Sequence, residues 1–151
     1  MEFSDVIKNR YSCKKFSSEQ IGKDKLDAIL EAGRVAPTAK NLQEQHIYVV
    51  QSESALETID KLTPCRYNAP TVLIVAYNKN NVFTYLGDKR NSGIEDATIV
   101  ATHLMLAAYN EGVDSCWINF FNPDELAKAF NLPEDEEILM LLNLGVMIRE
   151  R

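Results

Sequence analysis

The chain has 151 residues, 46% of them hydrophobic and 25% charged, which is the balance of one globular domain large enough to bury a core. Its net charge is −6, from 22 acidic against 16 basic residues, so it lacks the general basic stripe of a nucleic-acid binder, although a local cationic cluster can still hold a single anion. No apolar run approaches the length of a membrane span, and Met1-Glu2-Phe3-Ser4-Asp5 has neither the basic nor the apolar region of a signal peptide.

In chain order, Phe3 to Asn9 reads as a short helix with Ser4 as N-cap and Val6 and Ile7 turned inward. A basic stretch follows, Arg10-Tyr11-Ser12-Cys13-Lys14-Lys15-Phe16. On an extended backbone Arg10, Ser12 and Lys14 project to one side, giving a guanidinium fork, a hydroxyl and an ammonium suited to a phosphate monoester. Taken alone, the same residues also describe a solvated basic turn. Lys23 to Val35 is a longer helix with Leu26, Ile29, Leu30 and Gly33 on one buried face, stopped by Pro37. Thr38 to Gln45 is a polar loop, and His46 to Val50 a strand.

Ser54-Ala55-Leu56-Glu57 has the capping-box pattern of a helix that ends near Leu62, and Cys65 to Pro70 is a turn. Thr71 to Tyr77 is apolar throughout, as in a strand covered on both faces. Asn78 to Ser92 is a long polar loop. Ile94 to Glu111 is the longest helix, with Ile94, Ala97, Ala101, Leu104 and Ala108 on one face and Val100, Met105 and Ala107 widening it almost all round, so it belongs in a core or a subunit interface. Gly112 ends it. Ser115 to Ile118 is a short strand, Asn122-Pro123 opens a helix, Pro133 to Glu137 is acidic surface, and Ile138 to Leu144 is the last strand. Alternating helices and strands point by themselves to a parallel α/β sheet, without excluding a mixed α+β layer.

Cys13, Cys65 and Cys116 are far apart, odd in number and not spaced as metal ligands, which fits free thiols in a reducing cytoplasm. His46 and His103 have no second ligand nearby in sequence. No Ser-His-Asp or Cys-His constellation and no Gly-x-Gly-x-x-Gly fingerprint is present.

Two segments together resemble a known family. Arg10-Tyr11-Ser12-Cys13-Lys14-Lys15-Phe16 is similar to the Arg-x-Ser-x-Arg/Lys-x-Phe opening of the FMN-dependent nitroreductases, and Ala36-Pro37-Thr38-Ala39-Lys40-Asn41-Leu42-Gln43 to their Ala-Pro-Ser-x-x-Asn-x-Gln loop. Glu95-Asp96-Ala97, Gly112-Val113-Asp114-Ser115-Cys116-Trp117-Ile118 and Leu132-Pro133-Glu134 follow in the family's order, so the resemblance spans nearly the whole chain. It implies a single nitroreductase-like domain over residues 1–151, of α+β class with a mainly antiparallel central sheet, in an intertwined cytoplasmic homodimer. The parallel reading gives way to it.

The resemblance further implies FMN at the dimer interface. Arg10, Tyr11, Ser12 and Lys14 would hold its phosphate and ribityl chain, Tyr11 through its backbone. Pro37, Thr38, Ala39 and Asn41 would approach from the other subunit, and Asn119-Phe120 would supply an amide near the flavin N5 edge. The implied activity is ping-pong: NADH or NADPH delivers hydride to flavin N5, and a nitroaromatic, quinone or similar acceptor is then reduced. A flavin-binding carrier or sensor without general turnover is the alternative. For a 2′-phosphate, Lys40, Arg66, Lys89 and Arg90 are the candidate cations. The chain departs from the family where Gln43 is followed by Glu44-Gln45 instead of Pro-Trp, a change that bears on substrate preference. It also departs at the C-terminus, where either Arg149 or Arg151 substitutes for a basic residue that longer members carry, or the phosphate site is weaker and FMN exchanges more readily.

Overall fold

The computed structural model describes residues 1–149. Five helices are described: α1 (Phe3–Asn9), α2 (Lys23–Arg34), α3 (Glu53–Leu62), α4 (Gly93–Asn110) and α5 (Pro123–Ala129). The strands β1 (Gln45–Val50), β2 (Thr71–Asn78), β3 (Asp114–Ile118) and β4 (Glu136–Gly145) form one sheet in the order β1-β2-β4-β3. Every pairing in that sheet is antiparallel, so the class is α+β and the alternation of helix and strand misleads about strand direction. The misleading step is β2-α4-β3, a crossover that sets two strands pointing the same way with β4 inserted between them.

β2 shows why its sequence is apolar at every position. Leu73, Val75 and Tyr77 enter the core beneath α2 and α4, while Val72, Ile74 and Ala76 enter a second core on the opposite face, with Ile59 of α3 and Leu126 of α5. A bulge in the β2–β4 pairing between Val75 and Ala76 leaves Leu139 without a partner across the ladder. Leu139 and Met140 therefore lean into the same core, and Ile138 and Leu141, three apart, share the other. Gly33 lets α2 come close to α4: a Cβ there would lie 2.6 Å from Leu104 Cδ2. Gly112 ends α4 with a φ of 74°, the left-handed geometry that favours glycine.

Several local expectations shift. Ser4 lies inside α1, whose cap residue is Glu2, and Ile7 is 50% exposed although Val6 is buried. The cap of α3 is Ser52, which accepts from the Ala55 N–H, so the helix begins ahead of the Ser54 pattern. Ile94, in the first turn of α4, is 64% exposed, whereas Ala97, Val100, Ala101, Leu104 and Ala108 are buried. Glu136 is not surface: it is buried, receives the Tyr48 hydroxyl, and holds His46 Nδ1 at 2.5 Å. Among the described residues no helix is long and apolar enough to cross a membrane.

Candidate functional site

After α1 the backbone goes extended at Arg10 (φ −61°, ψ 147°) and runs along β3, the edge strand. Ser12 bridges Ser115 in parallel, and the Cys13 N–H donates to the Ser115 carbonyl at 2.8 Å. Alternation then separates the side chains. Cys13 is buried in the core, while Ser12 and Lys14 stay on the open side and Arg10 is half-buried. Ser12 and Lys14 form one wall of a cleft of about 330 Å³, and Cys116, Trp117, Ile118, Asn119 and Phe120 form another. The fold thus brings together two stretches more than a hundred residues apart, both singled out from the sequence.

In the third wall, Cys65 could be placed near the pocket from its turn position, whereas Tyr67 carried no sequence signal as a site. This wall is shaped by left-handed backbone at Tyr67 and Asn68 (φ 53° and 64°) and held by Asn143 Nδ2, which donates to the carbonyls of Cys65 and Arg66 at 2.9 and 3.0 Å. Trp117 is half-buried, and its indole N–H donates to Asn119 Oδ1 at 2.9 Å. The i, i+2 spacing of a strand end places those two residues on one side, a signal available in the sequence. The Thr63 hydroxyl donates to the Phe120 carbonyl at 2.6 Å, fixing the loop that closes the cleft.

The cleft is electropositive on its basic side. Burial pushes the Cys116 thiol up from its ordinary value, and the nearby charges of Lys14 and Arg10 pull the other way, so both cations act at this wall. Arg10 Nε is buried and has no hydrogen-bond acceptor. Arg10 does not line the cleft, but its charge reaches Cys116 in the cleft wall, and an orphaned guanidinium donor together with the hydroxyl and ammonium of Ser12 and Lys14 has the chemistry to hold the phosphate of FMN.

The second motif is a separate loop. Thr38 is half-buried and Pro37 exposed, and Ala39–Asn41 make a turn in which Lys40 and Asn41 take φ of 55° and 53°, followed by Gln43 at 51°. Three non-glycine residues in left-handed backbone need strong local support. It comes from the Ala39 N–H donating to Asp96 Oδ1 at 2.9 Å and the Gln43 N–H donating to Thr38 Oγ1 at 3.0 Å. None of Pro37, Thr38, Ala39 and Asn41 lines the cleft of Ser12 and Lys14. A single chain leaves the two motifs apart.

The remaining cations divide. Arg66 is committed to Asp60 through two 2.7 Å bonds and to the Ala69 carbonyl, and Arg90 lies 4.3 Å from the Tyr85 ring centroid, which leaves Lys40 and Lys89 as the more open cations for a 2′-phosphate. Arg149 is exposed, and Arg151 lies outside the described residues. His103 Nδ1 sits 3.2 Å from the Ala32 carbonyl, a helix-to-helix contact, and among the described residues no group of side chains has the makings of a metal site.

The model of the nitroreductase family matches residues 7–66 and 63–146. Among curated proteins, "Putative NAD(P)H nitroreductase YodC" of Bacillus subtilis (strain 168) is 27% identical, with 96% of this chain and 89% of that protein covered. Among solved structures, a nitroreductase family protein from Clostridium difficile 630 superposes with a TM-score of 0.95 at 33% identity, covering 99% of this chain and 87% of the other. An FMN-dependent nitroreductase from Clostridium difficile R20291 gives 0.85 at 25% identity, covering 98% and 89%. With both sequence motifs, the antiparallel sheet and nearly the whole length in agreement, this chain belongs to the nitroreductase family.

Proposed function

We propose that the protein is an FMN-dependent NAD(P)H oxidoreductase that reduces nitroaromatics, quinones or similar small acceptors, working as a homodimer. The observation that carries the cofactor assignment is the pair Ser12 and Lys14 in the cleft wall together with the partnerless Arg10 Nε, a residue that does not itself line the cleft but whose charge acts on Cys116 of that wall. Arg10 and Lys14 neutralise the phosphate, Ser12 donates to it or to the ribityl chain, and Tyr11 contributes backbone. Asn119 and Phe120 present backbone at the far end of the cleft, held there by the Trp117–Asn119 and Thr63–Phe120 hydrogen bonds. The loop of Pro37, Thr38, Ala39 and Asn41 completes the site from the second copy, because it does not reach the cleft of its own chain. When bound, FMN supplies the two-electron redox chemistry between the nicotinamide donor and the acceptor. The protein's part is to bind, orient and exclude water, so the lack of a side-chain nucleophile is no obstacle.

The test is an absorbance spectrum of the purified protein after FMN addition and desalting, followed by NADH and NADPH oxidation with menadione or a nitroaromatic. Retained flavin bands with turnover are expected. Retained flavin without turnover would favour a carrier or sensor, and a folded protein that never retains FMN would overturn the reading.

A further inference from the structure

We infer that Glu44 and Asp96 form a proton-sharing carboxyl pair that positions the 37–43 loop for the flavin, with Glu44 as a positioning residue. The flavin part rests on the proposed function; the pair itself does not.

Both side chains are almost fully buried, Glu44 at 3% exposure and Asp96 at 2%. Asp96 Oδ1 accepts the Ala39 N–H, but Asp96 Oδ2 and both carboxylate oxygens of Glu44 have no hydrogen-bond donor. Three buried acceptors with no donor are costly, and Glu44 and Asp96 interact, so both cannot ionise cheaply. One proton on Glu44 relieves two of the three, by letting its carboxyl O–H donate to Asp96 Oδ2 while Oδ1 keeps the loop. Glu44 is held in place by its own carbonyl, which accepts the Asn78 N–H at 2.9 Å.

The surroundings offer no competing charge. On α4 the neighbouring Glu95 accepts from the Tyr85 hydroxyl, β2 presents Tyr77 and Asn78, and His46 of β1 is engaged with Glu136. Among the described residues no cation pairs with either member. Burial, and then the neighbouring Asp96, push the Glu44 carboxyl up from 4.5 to about 7.

The sign follows from proton linkage. A carboxyl whose pKa is raised on folding binds its proton more tightly in the native state. The loop-holding arrangement is therefore complete at acid pH, weakens as pH rises from about 4.5, and is lost as pH passes about 7. Above that, the dianionic pair repels and the support for Ala39 and the left-handed residues behind it loosens.

The experiment compares wild type with Glu44→Gln, whose amide can donate to Asp96 at every pH, between pH 6 and pH 8. Two quantities are read: hydrogen exchange at the Ala39 N–H of the purified protein, and the dissociation constant of added FMN. In wild type, Ala39 exchange protection falls through pH 7 beyond the intrinsic rate change. FMN binding at pH 8 weakens relative to Glu44→Gln by about tenfold, because the loop-competent fraction falls by that factor. The ionisation of the FMN phosphate acts equally on both proteins and cancels in the ratio. A protonated carboxyl signal from Glu44 in wild type, followed by isotope-edited infrared spectroscopy, decides the point even if the variant does not fold. Identical pH profiles in the two proteins, or a Glu44 carboxyl fully ionised at pH 6, would overturn the proposal. So would recovery of loop protection at pH 8 by added Ca²⁺, which would make the pair a cation site. Failure of wild type to bind FMN at any pH sinks the functional reading, while the exchange and infrared profiles still decide the pair.

Discussion

The Thr63 hydroxyl donates to the Phe120 carbonyl at 2.6 Å, and the same Thr63 oxygen accepts the Cys65 N–H at 3.2 Å. One buried side chain thus ties the segment after α3 to the segment after β3, and both segments wall the cleft. Replacing Thr63 with Val keeps the shape and removes both bonds. The expected cost is about 1–3 kcal/mol, at about 0.5–1.5 kcal/mol for each of the two part-buried hydrogen bonds lost. Urea denaturation reads the stability, and a several-fold weaker FMN dissociation constant is the expected companion effect. Unchanged stability would show that the cleft does not depend on this tie.

Arg10 is expected to recognise the phosphate and not the isoalloxazine ring. Wild type should prefer FMN to riboflavin, and Arg10→Ala should lower FMN affinity by about 10- to 100-fold, the worth of a charge-assisted hydrogen bond. Riboflavin affinity should change little. Fluorescence-quenching titrations with the two flavins make the comparison, and an equal loss for both would place Arg10 elsewhere in the site.

Gly33 and Leu104 set the distance between α2 and α4. A Cβ at position 33 would lie 2.6 Å from Leu104 Cδ2, and Leu104 is fully buried. Gly33→Ala gains about 1 kcal/mol of helix propensity but overpacks the core, an effect worth about 1–3 kcal/mol, so net destabilisation is expected. Gly33→Ala should be less harmful in a Leu104→Ala background, where the clash is gone. A double-mutant cycle by thermal denaturation measures the coupling; additive effects would contradict the contact.

Tyr48 and Tyr11 are each pushed up to about 12, by burial first, then by Glu136 for Tyr48 and by Asp114 for Tyr11. Raised phenol pKa values mean that the folded state holds these protons more tightly. Their stability contribution is present below pH 10 and is lost as pH rises through about 12. Absorbance titration near 295 nm should show Tyr48 and Tyr11 among the late-titrating tyrosines, together with Tyr67 and Tyr77, which are also raised. Glu136→Gln should bring Tyr48 down while leaving Tyr11 in place; if neither moves, Glu136 does not govern Tyr48.

The sequence by itself determined the parts. The apolar run of β2, the face of α2, the Asn122-Pro123 start of α5 and Gly112 after α4 are local patterns, and they appear where the periodicity and the caps put them. Extended backbone leaves Ser12 and Lys14 exposed with Cys13 buried between them, whereas Arg10, expected on the same side as Ser12 and Lys14, is half-buried. Tertiary structure decided what local pattern cannot carry. Strand direction depends on β4 inserting between β2 and β3, a contact between residues distant in the chain. The walls at Cys65 and Tyr67 depend on left-handed backbone supported by Asn143, some seventy-five residues away in sequence. Glu44 reads as a polar loop residue and becomes a buried acid only because β1, β2 and α4 close over it beside Asp96. Periodicity records the environment of a face, whereas the protonation of a carboxyl is set by which distant groups the packing brings against it.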